Sequence, residues 1–140
     1  MIDAFGETET SIWGGLMSGL AKTAGIVGAV VDGSVRDTDE SKLMDFPIAS
    51  KVVCPRAAHS AYSGRTEPIE INGTISCGGV IVRPGDLVVA DEIGVTVVPS
   101  GDFAEVYEKA KEQAEKEEDT RKMIAEGWSV KQLLEKFGRI

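Results

Sequence analysis

Two short stretches of this chain carry residue types suited to holding an anion. They are Trp13-Gly14-Gly15-Leu16-Met17 and, further on, Arg36-Asp37 followed by Glu40. Gly14-Gly15 stands immediately before an amphipathic run. Two residues without Cβ let a ligand approach the backbone where the first N–H groups of a helix remain unpaired. Such a helix start binds carboxylate or phosphate, although the same glycines could equally serve a tight turn. An arginine grips a carboxylate with a two-pronged fork, and an adjacent aspartate offers a hard oxygen ligand to Mg²⁺ or Mn²⁺. Together they suit a 2-oxo acid chelated to a divalent cation. Magnesium needs only one or two protein carboxylates, so Asp37 can be the sole direct ligand, with Glu40 orienting a water from behind it. A solvated ion-pair cluster of Arg36, Asp37, Asp39 and Glu40 is the competing reading.

Positioning these residues falls to the elements around them. Ile2 to Gly6 reads as the end of a strand entering a loop, and Glu7 to Trp13 as a short polar connection. Leu16, Leu20, Ala21 and Ala24 share one helical face, with Gly25 as the cap. Ile26 to Val31 is a continuous apolar run closed by Asp32-Gly33, the pattern of a strand buried on both faces. A helix of about ten residues rises roughly 15 Å, and a strand of five or six residues runs back roughly 17–20 Å. If the two are antiparallel, Arg36 and Asp37 arrive beside Gly14–Met17.

The acidic stretch after Asp37 suits a short helix, and Ile48 to Val53 a strand that stops before Pro55. From Ile69 the texture changes to short β runs, Ile69–Ile71, Val80–Val82, Leu87–Ala90 and Val95–Val98, expected as a β-meander or small barrel-like sheet. Phe103 to about Glu126 reads as a charged helix with Phe103, Val106, Tyr107 and Ala110 on one face. Ser129 and Gln132 form a capping box for a last helix carrying Val130, Leu133, Leu134 and Phe137. The expectation is a single α/β domain over residues 1–140, with a helical C-terminal extension from 101.

Composition closes off several functions. At 140 residues the chain has room for one core, and no apolar run reaches the roughly 18 residues that span a bilayer. The first residues lack a secretory signal's basic region and apolar stretch, so a cytoplasmic location is expected. A net charge of −8, with no basic stripe among aromatics, argues against nucleic acid. Cys54 and Cys77 read as free thiols. His59 is the only histidine, so a histidine metal cage is excluded, and it reads as a loop residue. Asp91-Glu92 reads as a turn, Trp13 as packing beside the glycine turn, and Trp128 as an anchor for the last helix.

These residues together resemble the RraA-like family, which includes the 4-hydroxy-4-methyl-2-oxoglutarate aldolases of the class II pyruvate aldolase type. The resemblance is carried by Trp13–Met17, by Gly28-Ala29-Val30-Val31-Asp32-Gly33-Ser34-Val35-Arg36-Asp37, and by Gly78-Gly79-Val80-Ile81-Val82-Arg83-Pro84-Gly85-Asp86 continuing through Ala90-Asp91 to Gly94 and Pro99. It implies a swivelling β/β/α sandwich that assembles as trimers or hexamers, with sites between subunits. It also implies that backbone amides of Gly14, Gly15, Leu16 and Met17 hold substrate, that Arg36 binds the pyruvyl moiety, and that Asp37 binds the metal. The family signature is an acid, twenty residues, Arg-Asp, two residues and a further acid. Arg36, Asp37 and Glu40 match it, but Gly15 stands where the leading acid belongs. Relatives also carry a segment before the strand ending at Ala4, which this chain is expected to lack.

Two functions follow as expectations. One is a metal-dependent lyase cleaving 4-hydroxy-4-methyl-2-oxoglutarate-type substrates or decarboxylating oxaloacetate through a pyruvate enolate. The other is a non-catalytic regulator that binds an RNA-degrading endonuclease, as the RraA proteins do. The Arg36-Asp37 pair favours the lyase.

Overall fold

The computed structural model describes residues 1–57 and 70–138, and the chain divides into two compact units, Met1–Pro99 and Ser100–Ile140. His59 and Ile69 lie outside the described residues.

The first unit is built on a parallel three-stranded sheet in the order β1-β2-β3, where β1 is Ile2–Trp13, β2 is Ala29–Val35 and β3 is Ile48–Val53. Helix α1 (Gly15–Thr23) joins β1 to β2, and α2 (Thr38–Leu43) joins β2 to β3. Both are βαβ crossovers, the connection that parallel strands require. The expected loop at Glu7–Trp13 is instead part of β1. The ladder slips between Asp3 and Glu7 and again before Ser11 and Trp13, so twelve residues of β1 run beside five of β2. Phe5 and Gly6 have φ of 53° and 70°, and this left-handed step accounts for the loop-like look of the sequence.

Strand β2 also differs from expectation, starting three residues later and running through Asp32-Gly33-Ser34 without a turn. Helix α1 ends with Gly25 at φ 85°, Gly25 N–H donating to Lys22 O and Ile26 N–H to Ala21 O. This six-to-one closure consumes Ile26 and leaves Val27 exposed, so the apolar run begins as a helix stop. Gly33 is glycine for closeness: a Cβ there would meet Ala4 Cβ at 2.9 Å and Glu7 O at 3.1 Å.

The core under α1 and α2 is Trp13, Ala21, Val31, Val35 and Phe46, with Ile2, Ile12, Met44 and Ile48 packed around it. Phe46 reaches it because α2 closes as α1 does, with Asp45 in the left-handed region and Phe46 N–H donating to Ser41 O.

The expected β-meander is two separate antiparallel hairpins, β4 (Ile75–Cys77) with β5 (Val80–Val82) and β6 (Leu87–Asp91) with β7 (Gly94–Val98). Gly78 and Gly79, both at positive φ, make the two-residue turn of the first. Glu70 and Ile71 belong to no strand, since Asn72 turns left-handed directly after them. Cys54 and Cys77 are free thiols, and burial pushes the Cys77 thiol up.

Asp32, expected in a turn, is a buried acid within β2, paired with Lys51 Nζ of β3 at 2.6 Å. The bonded Lys51 ammonium, and after it the Gly78 N–H, hold its carboxyl below the usual aspartate range. A carboxyl that ionises more readily when folded stabilises the fold above its unfolded pKa, and that contribution fades as pH falls through the folded value. The melting temperature should therefore fall on acidification from about pH 5 to about pH 3, and less steeply in Asp32→Asn. Equal slopes for the two proteins would remove Asp32 from the acid response.

In the second unit a 3₁₀ turn at Ser100–Asp102 leads into α3 (Phe103–Ala125), followed by α4 (Val130–Phe137). No residue of α3 is buried. Ion pairs one turn apart, Glu105–Lys109, Glu112–Lys116 and Glu117–Arg121, line its surface. The capping box is present, with Ser129 N–H donating to Gln132 Oε1 at 2.8 Å and Gln132 N–H to Ser129 Oγ at 3.4 Å. Among the described residues, no helix is long and apolar enough to cross a membrane.

Candidate active site

The parallel sheet delivers the end of β2 to the start of α1. Arg36 N–H donates to Trp13 O at 2.9 Å, which closes the β1–β2 ladder and puts Arg36 and Asp37 directly against Gly14 and Gly15. The expected juxtaposition is present although β2 runs from Ala29 to Val35 and not from Ile26 to Val31. Both ends of β2 lie further along the chain than expected, by similar amounts.

Asp37 takes φ 53° and ψ 41°, an uncommon conformation for a residue with a Cβ that aspartate tolerates better than most. In that pose Oδ2 lies 3.3 Å from Arg36 Nε and accepts from Gly15 N–H at 3.2 Å. Gly14 makes room for it: a Cβ there would meet Asp37 Oδ2 at 2.8 Å and Arg36 Cζ and Nε at 3.0 Å each. At Gly15 a Cβ would stand 2.0 Å from Glu40 Oε2. The glycine pair thus serves close approach, with two carboxylates and a guanidinium packed over the first turn of α1. The N–H groups of Leu16 and Met17 have no partner among the described residues, as the first turn of a helix leaves them. Both side chains are exposed.

Serines missed in the sequence hold this arrangement in place. Ser11, fully buried in β1, accepts from Arg36 Nη1 at 3.0 Å and donates through Oγ to Arg56 O at 3.0 Å. Ser18 of α1 accepts from Trp13 Nε1 at 2.8 Å and shares a 3.0 Å hydroxyl contact with Ser41 of α2, whose Oγ also lies 3.3 Å from Asp37 O. Trp13 stacks on Phe46 with centroids 6.2 Å apart and planes 5° from parallel. The starts of α1 and α2 are thereby tied through a buried chain of one indole and two hydroxyls. The only sequence signal for it was the spacing of Ser18 and Ser41, four residues after Gly14 and Asp37.

The site is an open shelf. Arg36 and Asp37 side chains are 31% and 40% exposed, and the clefts of about 540 Å³ beside α2 and about 480 Å³ over Asp32 and Lys51 include none of the shelf residues. Among the described residues no three of His, Cys, Asp and Glu converge as a ready-made metal cage. The donor set nevertheless fits magnesium or manganese. All described bonds to the Asp37 carboxylate use Oδ2, so Oδ1 is left as a hard oxygen ligand, and such ions keep most of their waters. Asp91 instead caps its own hairpin, Oδ1 accepting from Ile93 and Gly94 N–H.

Comparison with known proteins agrees with the architecture. The family model described as RraA-like, Aldolase/RraA, matches residues 1–97. A Halalkalibacterium halodurans protein named as a candidate 4-hydroxy-4-methyl-2-oxoglutarate aldolase is 43% identical over 138 residues, covering 98% of this chain and 63% of its own length. The 4-hydroxy-4-methyl-2-oxoglutarate aldolase of Thermus thermophilus is 35% identical over 98 residues, covering 70% of this chain and 57% of its own. The crystal structure of Streptomyces coelicolor RraAS2, described as an unusual member of the RNase ES inhibitor RraA protein family, superposes with a TM-score of 0.75. It is 31% identical and covers 87% of this chain and 61% of its own. The chain belongs to the RraA-like family, and its α/β fold with C-terminal helices is that family's fold. It spans between 57% and 63% of the length of these three proteins.

Proposed function

We propose that this chain forms the active site of a divalent-metal-dependent carbon–carbon lyase acting on 2-oxo acids that contain a pyruvyl unit. The observation that carries the reading is the convergence of the Arg36 guanidinium and the Asp37 carboxylate on Gly14-Gly15 at the open start of α1. Arg36 is fixed by Asp37 at Nε and by Ser11 at Nη1, which leaves Nη2 to meet a carboxylate. The unpaired N–H groups of Leu16 and Met17 add donors aimed at the same anion. Asp37 would hold Mg²⁺ or Mn²⁺, which supplies Lewis acidity to the oxygens of the 2-oxo acid. Arg36 then meets the negative charge that grows on the pyruvyl fragment as the bond breaks. The names of the two aldolase relatives support cleavage of 4-hydroxy-4-methyl-2-oxoglutarate-type acids, and decarboxylation of oxaloacetate draws on the same charge stabilisation. Assembly as a trimer or hexamer that covers the open shelf belongs to the proposal.

The likeness to RraAS2 favours a second reading, a regulator that contacts an RNA-degrading enzyme. A regulator of that kind has no use for a left-handed aspartate pinned against a glycine pair.

Oxalate, a planar dianion shaped like the enolate of pyruvate, tests the site without turnover. In a calorimetric titration it should bind with Mg²⁺ or Mn²⁺ present, lose affinity in chelator, and fail to bind Asp37→Asn, which keeps the left-handed backbone. Metal-independent binding, or none with metal, would contradict the site.

A further inference from the structure

Asn72 is the only asparagine among the 140 residues, and a glycine follows it. Asn-Gly most often serves a two-residue hairpin turn in which both residues take positive φ. That role is not filled here. Asn72 has φ 59°, but Gly73 is not at positive φ, and neither residue belongs to a hairpin. Gly73 is glycine for closeness instead, since a Cβ on it would overlap Oε1, Cδ and Cγ of Glu70. The fold therefore keeps an unhindered main-chain nitrogen directly after the asparagine. Asn72 is exposed, and residues 71–73 form neither helix nor strand. Among the described residues, neither the Asn72 side chain nor the Gly73 N–H has a hydrogen-bond partner, so nothing described opposes rotation of one towards the other. Asparagine is a chemically labile residue, and the carbonyl carbon of its side chain is an electrophile for the nitrogen that follows it.

We propose that Asn72 is a self-modification site of the folded chain, where the Gly73 nitrogen displaces the side-chain amide and water then yields aspartate or isoaspartate. The Gly73 N–H first loses its proton to hydroxide from the solvent. Its nitrogen attacks Asn72 Cγ, the new C–N bond closes a succinimide ring, and the Cγ–Nδ2 bond breaks. Nδ2 leaves as ammonia after taking a proton from water. Water then adds to one of the two ring carbonyls. Opening at Cγ gives aspartate, and opening at the main-chain carbonyl gives isoaspartate. The sum is one amide and one water giving one acid and one ammonia, with nothing oxidised or reduced.

Either product makes the net charge of −8 more negative by one. The new carboxylate enters the cleft of about 460 Å³ that Asn72 and Gly73 share with Arg83 and Asp86. Isoaspartate also lengthens the main chain by a methylene, three residues before β4 begins at Ile75. The turn of the β4–β5 hairpin brings Gly78 N–H to the Asp32 carboxyl, so a displaced hairpin loosens that buried pair.

The natural chain, Asn72→Gln and Asn72→Asp test this when held in warm, mildly alkaline buffer, both folded and in urea. Peptide mass mapping and enzymatic methylation of isoaspartate follow the reaction. The folded natural chain should gain the mass of an amide-to-acid exchange in the peptide that contains Asn72, with isoaspartate present and a rate that rises with pH. That rate should lie within about tenfold of the rate in urea, because a segment without described main-chain hydrogen bonds opens at little cost. Asn72→Gln should stay unmodified over the same time, its carbonyl carbon lying one bond further from the Gly73 nitrogen. The aged natural chain should melt at a lower temperature than the fresh one, whereas fresh Asn72→Asp, which has the charge without the methylene, should melt close to the natural chain. Conversion in urea but not in the folded chain would overturn the proposal, as would a mass gain that persists in Asn72→Gln. An isoaspartate-bearing chain that melts like the fresh one would overturn the link to the β4–β5 hairpin.

Discussion

Arg36→Lys is expected to lower kcat/KM for a pyruvyl-containing 2-oxo acid by about 10²–10³, the usual cost of one lost donor to a developing negative charge. Lysine keeps the positive charge but not the fork, so it cannot face Asp37, Ser11 and a substrate carboxylate together. Arg36 contacts Asp37 through Nε and Ser11 through Nη1, a planar arrangement that a single ammonium cannot reproduce. The loss should appear in steady-state kinetics while the circular dichroism spectrum stays that of the natural chain, because Arg36 lies at the rim of the fold. Near-normal kcat/KM in Arg36→Lys would mean that charge alone, without geometry, does the binding.

The second large effect concerns stability. Trp13→Ala should destabilise the chain by about 3–5 kcal/mol, the range for removing a large buried aromatic. Trp13 is 8% exposed, stacks on Phe46 and donates to Ser18, so its loss opens a cavity and leaves the Ser18–Ser41 pair without its indole donor. Trp13→Phe keeps a ring against Phe46 but loses the hydrogen bond and part of the buried volume, for a smaller cost of about 1–3 kcal/mol. Urea unfolding measures both. Since small domains are stable by about 5–15 kcal/mol, the alanine variant should lose a large share of its stability margin. The Trp13 carbonyl that accepts from Arg36 N–H is main chain and remains in both variants. Equal destabilisation by alanine and phenylalanine would show that a ring stacked on Phe46 contributes nothing beyond what the indole supplies.

What the sequence made legible was chemistry expressed by neighbours in the chain. Gly14-Gly15 before an amphipathic run, and Arg36-Asp37 after an apolar one, were readable because glycine and paired charges have few uses at helix starts and strand ends. The helix limits were readable for the same local reason, with Gly25 and Ser129-Gln132 acting as stop and start. Asp32 was not. Asp-Gly after an apolar run is ordinary turn chemistry, and only Lys51 on the neighbouring strand turns it into a buried pair. Ser11, Ser18 and Ser41 were hard to single out because serine is common and their partners lie between 4 and 45 residues away. The limits of β2 were missed because Ile26 and Val27 are apolar yet belong to a helix closure rather than to the sheet.

Gly15 stands where the family places an acid, and in three dimensions the Glu40 carboxyl lies close to where a side chain there would begin.

The most direct measurement is pyruvate release by the natural chain from 4-hydroxy-4-methyl-2-oxoglutarate and from oxaloacetate, with Mg²⁺, with chelator, and with Asp37→Asn. The account predicts pyruvate from both substrates with Mg²⁺ and its loss both in chelator and in Asp37→Asn. Absence of pyruvate from a folded, metal-supplied chain, or a rate indifferent to both chelator and Asp37→Asn, would contradict it and favour the regulator.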